Sequence, residues 1–511
     1  MRAWDASRVA RAAGARLESE PPALAPPPGP RRASIDSRHV AAGDLFVGLR
    51  GERSDGGSYA PEALHAGAWG VLVAPEHVPA AVEAHSGGVV LSHRDPLAGL
   101  QALARAWRRE LRAGGTTVVA ITGSTGKTST KEILIALLSK ERRTVSSPEN
   151  FNTEIGLPLA VLAAPGDTEV LVLEMAMRGA GQIAELTAIA EPDVGVIANV
   201  GPVHLELLGT LEAIAAAKAE LIAGLEAGTT AVVPVDEPLL ASHLRADVRT
   251  VTFGDGGDFS LQTTPPAETA PPAETAPSAE TAPSGPVVIR ERERSGSPPA
   301  ALGTAQTAVA EGGRIVLRPS FRQEHNLRNL LVAVAVARTL GVTIGESLEV
   351  SFPPLRGERV ALPRGVVLIN DCYNANPMSM RAAIDELAET APARRVAVLG
   401  DMLELGPAAA RFHREIGEYA AARGVDVLVT VGPLAAEMAG AFAGESHSVP
   451  DSAAAAELLE THLRDRDTVL VKGSRGVGLE RVAEALRGSE PARGRSGVDS
   501  TLAPSAGPGR G

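Results

Sequence analysis

Thr122-Gly123-Ser124-Thr125-Gly126-Lys127-Thr128 lies between an apolar run, Val118-Val119-Ala120-Ile121, and a helical pattern from Thr130 to Leu138. Backbone N–H groups of a glycine-rich loop, backed by the positive end of the following helix, bind phosphate. In that setting Gly123, Ser124, Thr125 and Gly126 form the cradle. Lys127 reaches the terminal phosphates of a nucleotide, and Thr128 can ligate Mg²⁺. Two residues separate the glycines here, against the four of the common P-loop. Glu174 ends the apolar run Val170-Leu171-Val172-Leu173, and His204 follows Val194-Gly195-Val196-Ile197 and the loop 198–203. Open parallel sheets bind ligands at the carboxyl ends of their strands, so loop, carboxylate and imidazole are expected on one edge. Such a carboxylate and imidazole suit a divalent cation bridging ATP to an acceptor.

Only five of the 49 basic residues are lysines: Lys127, Lys131, Lys140, Lys218 and Lys472. A lysine kept where arginine is the rule points to work a guanidinium does badly. The ammonium is a compact point charge that fits between phosphates, and the neutral amine can react with carbon dioxide or a carbonyl. Lys127 closes the glycine loop. Lys218 lies in Ala215-Ala216-Ala217-Lys218-Ala219-Glu220-Leu221, and Lys472 opens Lys472-Gly473-Ser474-Arg475-Gly476. For Lys218, scarcity is the one reason within the residues themselves to look past a surface lysine.

The elements that must position these groups read as α/β. At 511 residues the chain needs several cores. Aromatics are 3%, so those cores are Ala, Val and Leu, which suits helices on parallel sheets. The net charge of −12 argues against a nucleic-acid partner. No apolar run approaches the roughly 18 residues of a membrane helix, and Met1-Arg2-Ala3-Trp4-Asp5 lacks a signal-peptide layout. The single Cys372 excludes an internal disulfide. A cytoplasmic enzyme, monomeric and not inserted in a membrane, is the expectation.

Residues 1–112 read as a small α/β unit, with strands at 45–49 and 71–73 and helices at 61–67 and 97–111. From Thr117 strands and helices alternate, which predicts a parallel, doubly wound sheet over 113–352, with strands at 118–121, 170–173, 194–197, 230–233 and 314–317. The near-repeat of Pro-Pro-Ala-Glu-Thr-Ala within 265–284 reads as disordered, inside an insertion spanning about 260–310. A third α/β unit covers 353–487, with strands at 366–369, 395–399, 427–430 and 468–471, and residues 488–511 read as a disordered tail.

Thr122 to Lys131, Asn150-Phe151-Asn152, Gly156-Leu157-Pro158, Glu174, His204, Lys218, His325 to Asn329 and Asn370 to Pro377 together resemble the Mur ligase family of ATP-dependent, amide-forming enzymes that build the peptidoglycan precursor. Asp371 to Pro377, Gly400 to Gly406, and Asp36-Ser37-Arg38 with Gly43-Asp44-Leu45-Phe46 place the resemblance in one branch. That branch adds D-alanyl-D-alanine to a UDP-N-acetylmuramoyl-tripeptide. The Asp-Asn-Pro-Arg motif of the diaminopimelate-adding branch is absent.

The resemblance implies three domains: a smaller N-terminal α/β domain for the UDP-sugar, a central doubly wound P-loop-type ATPase and a mobile C-terminal Rossmann-like domain. It implies that residues 123–128 bind ATP phosphates, with Thr128, Glu174 and His204 at Mg²⁺, and that Lys218 is carbamylated. Asn329 would meet adenine and Asp371 the ribose. Arg359 would touch the γ-phosphate, with Arg356 the alternative. Asp36, Ser37 and Arg38 would face the UDP-sugar, and Asn374, Asn376 and Pro377 the dipeptide. Two positions depart from the family pattern: Asp236 where asparagine is usual, and Ala198 where threonine is common. Two rival readings stay open: a related ligase adding diaminopimelate, lysine or polyglutamate, and a P-loop ATPase that is no ligase.

Overall fold

A computed structural model describes residues 1, 3–20, 29–52, 54–84, 87–148, 150–262, 286–292 and 313–488. The repeat at 265–284 and all of the expected tail except Gly488 lie outside these residues. Two compact units emerge. One comprises Met1–Pro353 with Asn376–Ala382 and Leu403–Ala409; the other comprises Pro354–Ala375, Ala383–Met402 and the chain from Ala410 onward.

The first unit holds two sheets. The smaller runs in the order Arg16–Ser19, Val89–Ser92, Gly70–Val73, Leu45–Val47, Ala33–Ser34, parallel except for its first strand. Helix Pro96–Ala113 packs beside it. Asp95 caps that helix, accepting from the N–H groups of Leu97 and Ala98, and Pro96 starts it where no donor is needed. Its buried stripe is Leu100, Leu103, Ala104, Trp107 and Leu111, and Trp107 meets Trp4 edge to face at 5.5 Å.

The larger sheet has ten strands. In spatial order from one edge, Thr144–Ser146, Val170–Glu174, Thr117–Thr122, Val194–Ile197, Thr230–Pro234 and Arg249–Phe253 are parallel. Adjacent residues on one strand feed different cores. Val118 and Ala120 join Leu157, Ile183 and Ile214 on one face, whereas Val119 and Ile121 join Ile133, Leu134 and Leu330 on the other. Period-two side chains covered by helices on both sides are what make the sheet doubly wound.

Its far edge differs from the parallel pattern read in the sequence. Phe259–Gln262, Val287–Glu291 and Arg314–Pro319 pair antiparallel. The strand Val287–Glu291 lies within the stretch read as an insertion. Val287, Val288 and Ile289 are buried, so three apolar residues hold this segment in the sheet.

The second unit carries a six-stranded sheet in the order Glu358–Ala361, Val367–Asn370, Thr468–Lys472, Arg395–Gly400, Val427–Val431, Glu445–Val449. Only the first strand is antiparallel. Gly488 ends helix Glu480–Gly488 rather than opening a tail. Among the described residues no helix is long and apolar enough to cross a membrane.

Candidate functional site

Gly126 marks the point where strand Thr117–Thr122 hands over to helix Lys127–Leu138. Its φ of +73° is left-handed, and a Cβ built there would lie 2.3 Å from the Asn329 side-chain oxygen. Only glycine meets both conditions. The helix therefore begins at Lys127, three residues before the sequence pattern suggests, and puts Lys127 and Thr128 on its first turn.

The loop is clamped from the neighbouring strand. Asn199 accepts the Thr125 N–H at 2.9 Å and donates to Thr125 O and Oγ1, both at 3.1 Å. Ser124 Oγ donates to Gly201 O at 3.0 Å and accepts Gly201 N–H at 2.9 Å. Lys127 Nζ donates to Gly123 O at 2.8 Å. Sequence reasoning assigned Asn199 nothing; its only signal is its place after a strand on the shared edge. Ala198, one of the departures, lies against Gly123, where an added Cβ would come within 3.0 Å of its own. Asp236, the other, pairs with exposed Arg328 at 3.0 Å.

Glu174 closes its strand almost fully buried. One carboxylate oxygen accepts from Thr128 Oγ1 at 2.8 Å, and the other from Asn152 Nδ2 at 3.0 Å. Its backbone N–H donates to Ser147 Oγ at 3.1 Å, and Ser147 O in turn takes the buried Lys131 ammonium at 2.7 Å. A carboxylate held from several sides is fixed in position before any ligand arrives. Lys131 thus props the support of Glu174, a role foreshadowed only by the scarcity of lysine.

His204 adopts a left-handed φ of +53° ahead of the short helix Leu205–Leu208, and its Nδ1 lies 2.5 Å from Glu404 Oε2 of the same unit. Burial pushes its pKa down, the Glu404 carboxylate opposes that, and Lys127 and Lys218 add to the fall. Lys218 sits on helix Leu211–Ala223, 2% exposed. Burial drives its pKa well below the ordinary lysine range, and the Lys127 charge drives it further. Among the described residues no carboxylate offsets that shift. The structure therefore joins Thr128 directly to Glu174 and places His204, Lys127 and Lys218 within one another's electrostatic reach. Asn329 borders the loop at Gly126, with Thr130 Oγ1 at 3.4 Å and Asn326 Oδ1 at 3.3 Å.

Asp36 caps the turn Ser37–His39. It binds Arg38 through Nε at 2.9 Å and Nη2 at 2.7 Å, and His39 Nδ1 at 3.0 Å. The Arg38 bond, and then the His39 bond, hold its carboxyl far below the usual range. Asn376 accepts Ser379 N–H at 3.0 Å, and helix Pro377–Thr390 begins after it. For Asn376 and Pro377 the helix start is a sufficient structural reason.

In the second unit, Asp371 follows strand Val367–Asn370 and binds Lys472 Nζ at 2.6 Å; Asn374 O accepts the same ammonium at 2.9 Å. The Arg356 guanidinium lies 3.8 Å over the Tyr373 ring. Arg359 instead faces helix Pro377–Thr390, with Thr390 Oγ1 at 2.8 Å and Glu386 Oε1 at 3.5 Å. The alternative arginine is therefore the one beside the Asp371 turn.

Three family profiles match the chain: Mur ligase family, catalytic domain, over 32–108; Mur ligase middle domain over 121–276; and Mur ligase, glutamate ligase domain, over 355–475. The UDP-N-acetylmuramoyl-tripeptide–D-alanyl-D-alanine ligase of Mycobacterium leprae is 37% identical, covering 89% of this chain and 92% of the relative. That of Bacillus subtilis is 34% identical with the same coverage. A crystal structure of the MurF ligase from Thermotoga maritima in complex with ADP superposes with a TM-score of 0.72 at 31% identity, over 89% of this chain and 97% of that one. MurF from Acinetobacter baumannii gives a TM-score of 0.77 at 26% identity, covering 95% and 98%. From its N-terminal sheet to its C-terminal one, this chain belongs to the Mur ligase family.

Proposed function

We propose that the chain joins D-alanyl-D-alanine to UDP-N-acetylmuramoyl-tripeptide, the pair of substrates that the names of its relatives print, and that conversion of ATP to ADP and phosphate drives the joining. One observation carries the reading chemically. The glycine loop bonds a buried carboxylate through its threonine, and its Lys127 lies within electrostatic reach of buried Lys218, whose pKa is driven down by burial and by the Lys127 charge. A P-loop ATPase that is not a ligase has no need of the last.

A carboxylate resists attack because its charge is delocalised. Its oxygen therefore first attacks the γ-phosphorus of ATP; the new P–O bond forms as the bond to the β-phosphate oxygen breaks and ADP leaves. The dipeptide amine then attacks the acyl phosphate carbon and loses its proton. Collapse of the tetrahedral adduct forms the amide and expels phosphate. Positioning and charge neutralisation dominate such transfers. Residues 123–128 hold the phosphates, with Lys127 at the terminal ones, and Asn329 meets the adenine. Asp371 takes the ribose. Arg356 rather than Arg359 is the better placed phosphate arginine, since Arg359 is tied to Thr390 and Glu386. Asp36, Ser37 and Arg38 meet the UDP-sugar, and Asn374, Asn376 and Pro377 the dipeptide.

The donors fit a hard cation: a hydroxyl and a carboxylate oxygen only 2.8 Å apart, with an imidazole whose lone pair burial favours. Thr128, Glu174, His204 and carbamylated Lys218 would hold Mg²⁺, which neutralises phosphate charge when bound. A lowered Lys218 pKa favours the neutral amine, whose lone pair attacks the carbon of carbon dioxide; the nitrogen then loses a proton, and the resulting carbamate would put a carboxylate where a buried cation stood.

ADP release measured against a panel of amines, with UDP-sugar tripeptide present, tests the reading. D-alanyl-D-alanine should give ADP and pentapeptide in equal amounts. Preference for diaminopimelate, lysine or glutamate would move the chain to another branch. ADP formation indifferent to every amine would make it a plain ATPase. Gly126→Ala should weaken ADP binding by at least about tenfold, because left-handed backbone costs an L-residue roughly 1–2 kcal/mol before the contact with Asn329 is counted. Calorimetric titration of the folded variant checks this; unchanged affinity would remove the loop from the nucleotide site.

A further inference from the structure

Of the three buried lysines, Lys131 supports Glu174 and Lys218 is the proposed carbamate, which leaves Lys472 without a task. It ends strand Thr468–Lys472 and is 2% exposed, so its ammonium sits out of water. That is costly unless every donor is used. It donates to three oxygens: Asp371 Oδ2 at 2.6 Å, Asn374 O at 2.9 Å and, more weakly, Asp371 O at 3.3 Å. The Asp371 side chain keeps 23% of its surface. The backbone around this group is fixed as well. Asp371 N–H donates to Val471 O at 2.9 Å, and Ser474 Oγ reaches Ala375 O at 3.4 Å. A single ammonium thus ties both ends of the turn 371–374 to the strand beside it.

We infer that Lys472 is a positioning residue: it holds one carboxylate oxygen of Asp371 and the Asn374 carbonyl, so that the other Asp371 oxygen is presented to the nucleotide ribose. The proposal rests on the nucleotide reading of Asp371 given above and adds the group that sets its geometry. The site selects lysine over arginine. An ammonium has three diverging donors that fit three closely spaced oxygens, whereas a planar guanidinium presents its donors as a fork and is larger.

The test is steady-state kinetics of the full chain with Lys472→Met, Lys472→Arg, Asp371→Asn and the double variant Lys472→Met/Asp371→Asn. Lys472→Met should raise the KM for ATP by about tenfold, the scale of a lost charge-assisted contact. The KM for D-alanyl-D-alanine should change less than about twofold. Lys472→Arg should fail to restore the ATP KM. The double variant should be no worse than Asp371→Asn, because both act on the same contact. ATP and its 2′- and 3′-deoxy analogues separate the two layers of the argument. If Asp371→Asn leaves the ATP KM unchanged, the ribose reading of Asp371 fails. If Asp371→Asn raises it but Lys472→Met does not, or if the two effects add in full, the positioning role of Lys472 fails. If Lys472→Met does not fold, Lys472→Arg in the folded state decides: a wild-type ATP KM there overturns the proposal, and a raised one supports it.

Discussion

Lys218→Ala is expected to lower ligation by at least roughly a thousandfold, the scale seen when a group acting in the transition state is removed. Part of the activity should return on adding formate or acetate, which can occupy the space of the lost carbamate. An amine that is 2% exposed and within reach of the Lys127 charge is pushed toward its neutral form, and among the described residues no carboxylate offsets the push. Neutrality is the condition for reaction with carbon dioxide. Because the pKa is lowered, the neutral form extends to lower pH than for an ordinary lysine and is lost as pH falls. Wild-type activity should therefore drop on acidification more steeply than that of the acetate-rescued variant. Lys218→Arg should be as inactive as Lys218→Ala and resist rescue, since a guanidinium neither loses its proton nor leaves room. Full turnover of Lys218→Ala without additive would sink carbamylation.

The second large effect is at Lys127. Lys127→Ala should cut kcat by about a hundredfold to a thousandfold, while thermal unfolding changes little. Lys127 opens its helix, a first-turn position whose side chain contributes little to helix stability, and its ammonium reaches back to Gly123 O. The amine is therefore held over the loop without being part of the core. Lys127→Arg should not recover activity, because the bulkier fork cannot enter a loop already closed by Asn199 and Ser124. Retention of more than about a tenth of wild-type kcat by Lys127→Ala would show that phosphate charge is neutralised elsewhere.

Much of the doubly wound core could be read from the chain because parallel strands buried on both faces are nearly continuous apolar runs. Val118 to Ile121, Val170 to Leu173 and Val194 to Ile197 announce themselves, and each lies in an observed strand. The antiparallel edge did not. Val287–Glu291 is flanked by Pro-, Ser- and Thr-rich sequence, and its place depends on pairing with Phe259–Gln262 and Arg314–Pro319. No local pattern encodes partners so far apart. The same holds for Arg356 and Arg359: they lie three residues apart at the start of the third α/β unit, and only the fold turns one toward Thr390 and lays the other over Tyr373.

Residue type and spacing alone determined that a glycine loop stands between a strand and a helix, that Glu174 ends a neighbouring strand and that His204 follows another. These follow from local rules: apolar runs make strands, and ligand groups follow their carboxyl ends. The rarity of lysine also marked all five lysines; Lys131, Lys218 and Lys472 proved buried, whereas Lys140 is exposed. What each does was decided by tertiary structure, because an amine's state depends on its neighbours in space. Lys131 and Lys472 are surrounded by oxygens and act as cations that tie loops. Lys218, buried on its helix and within reach of the Lys127 charge, has its pKa driven down instead.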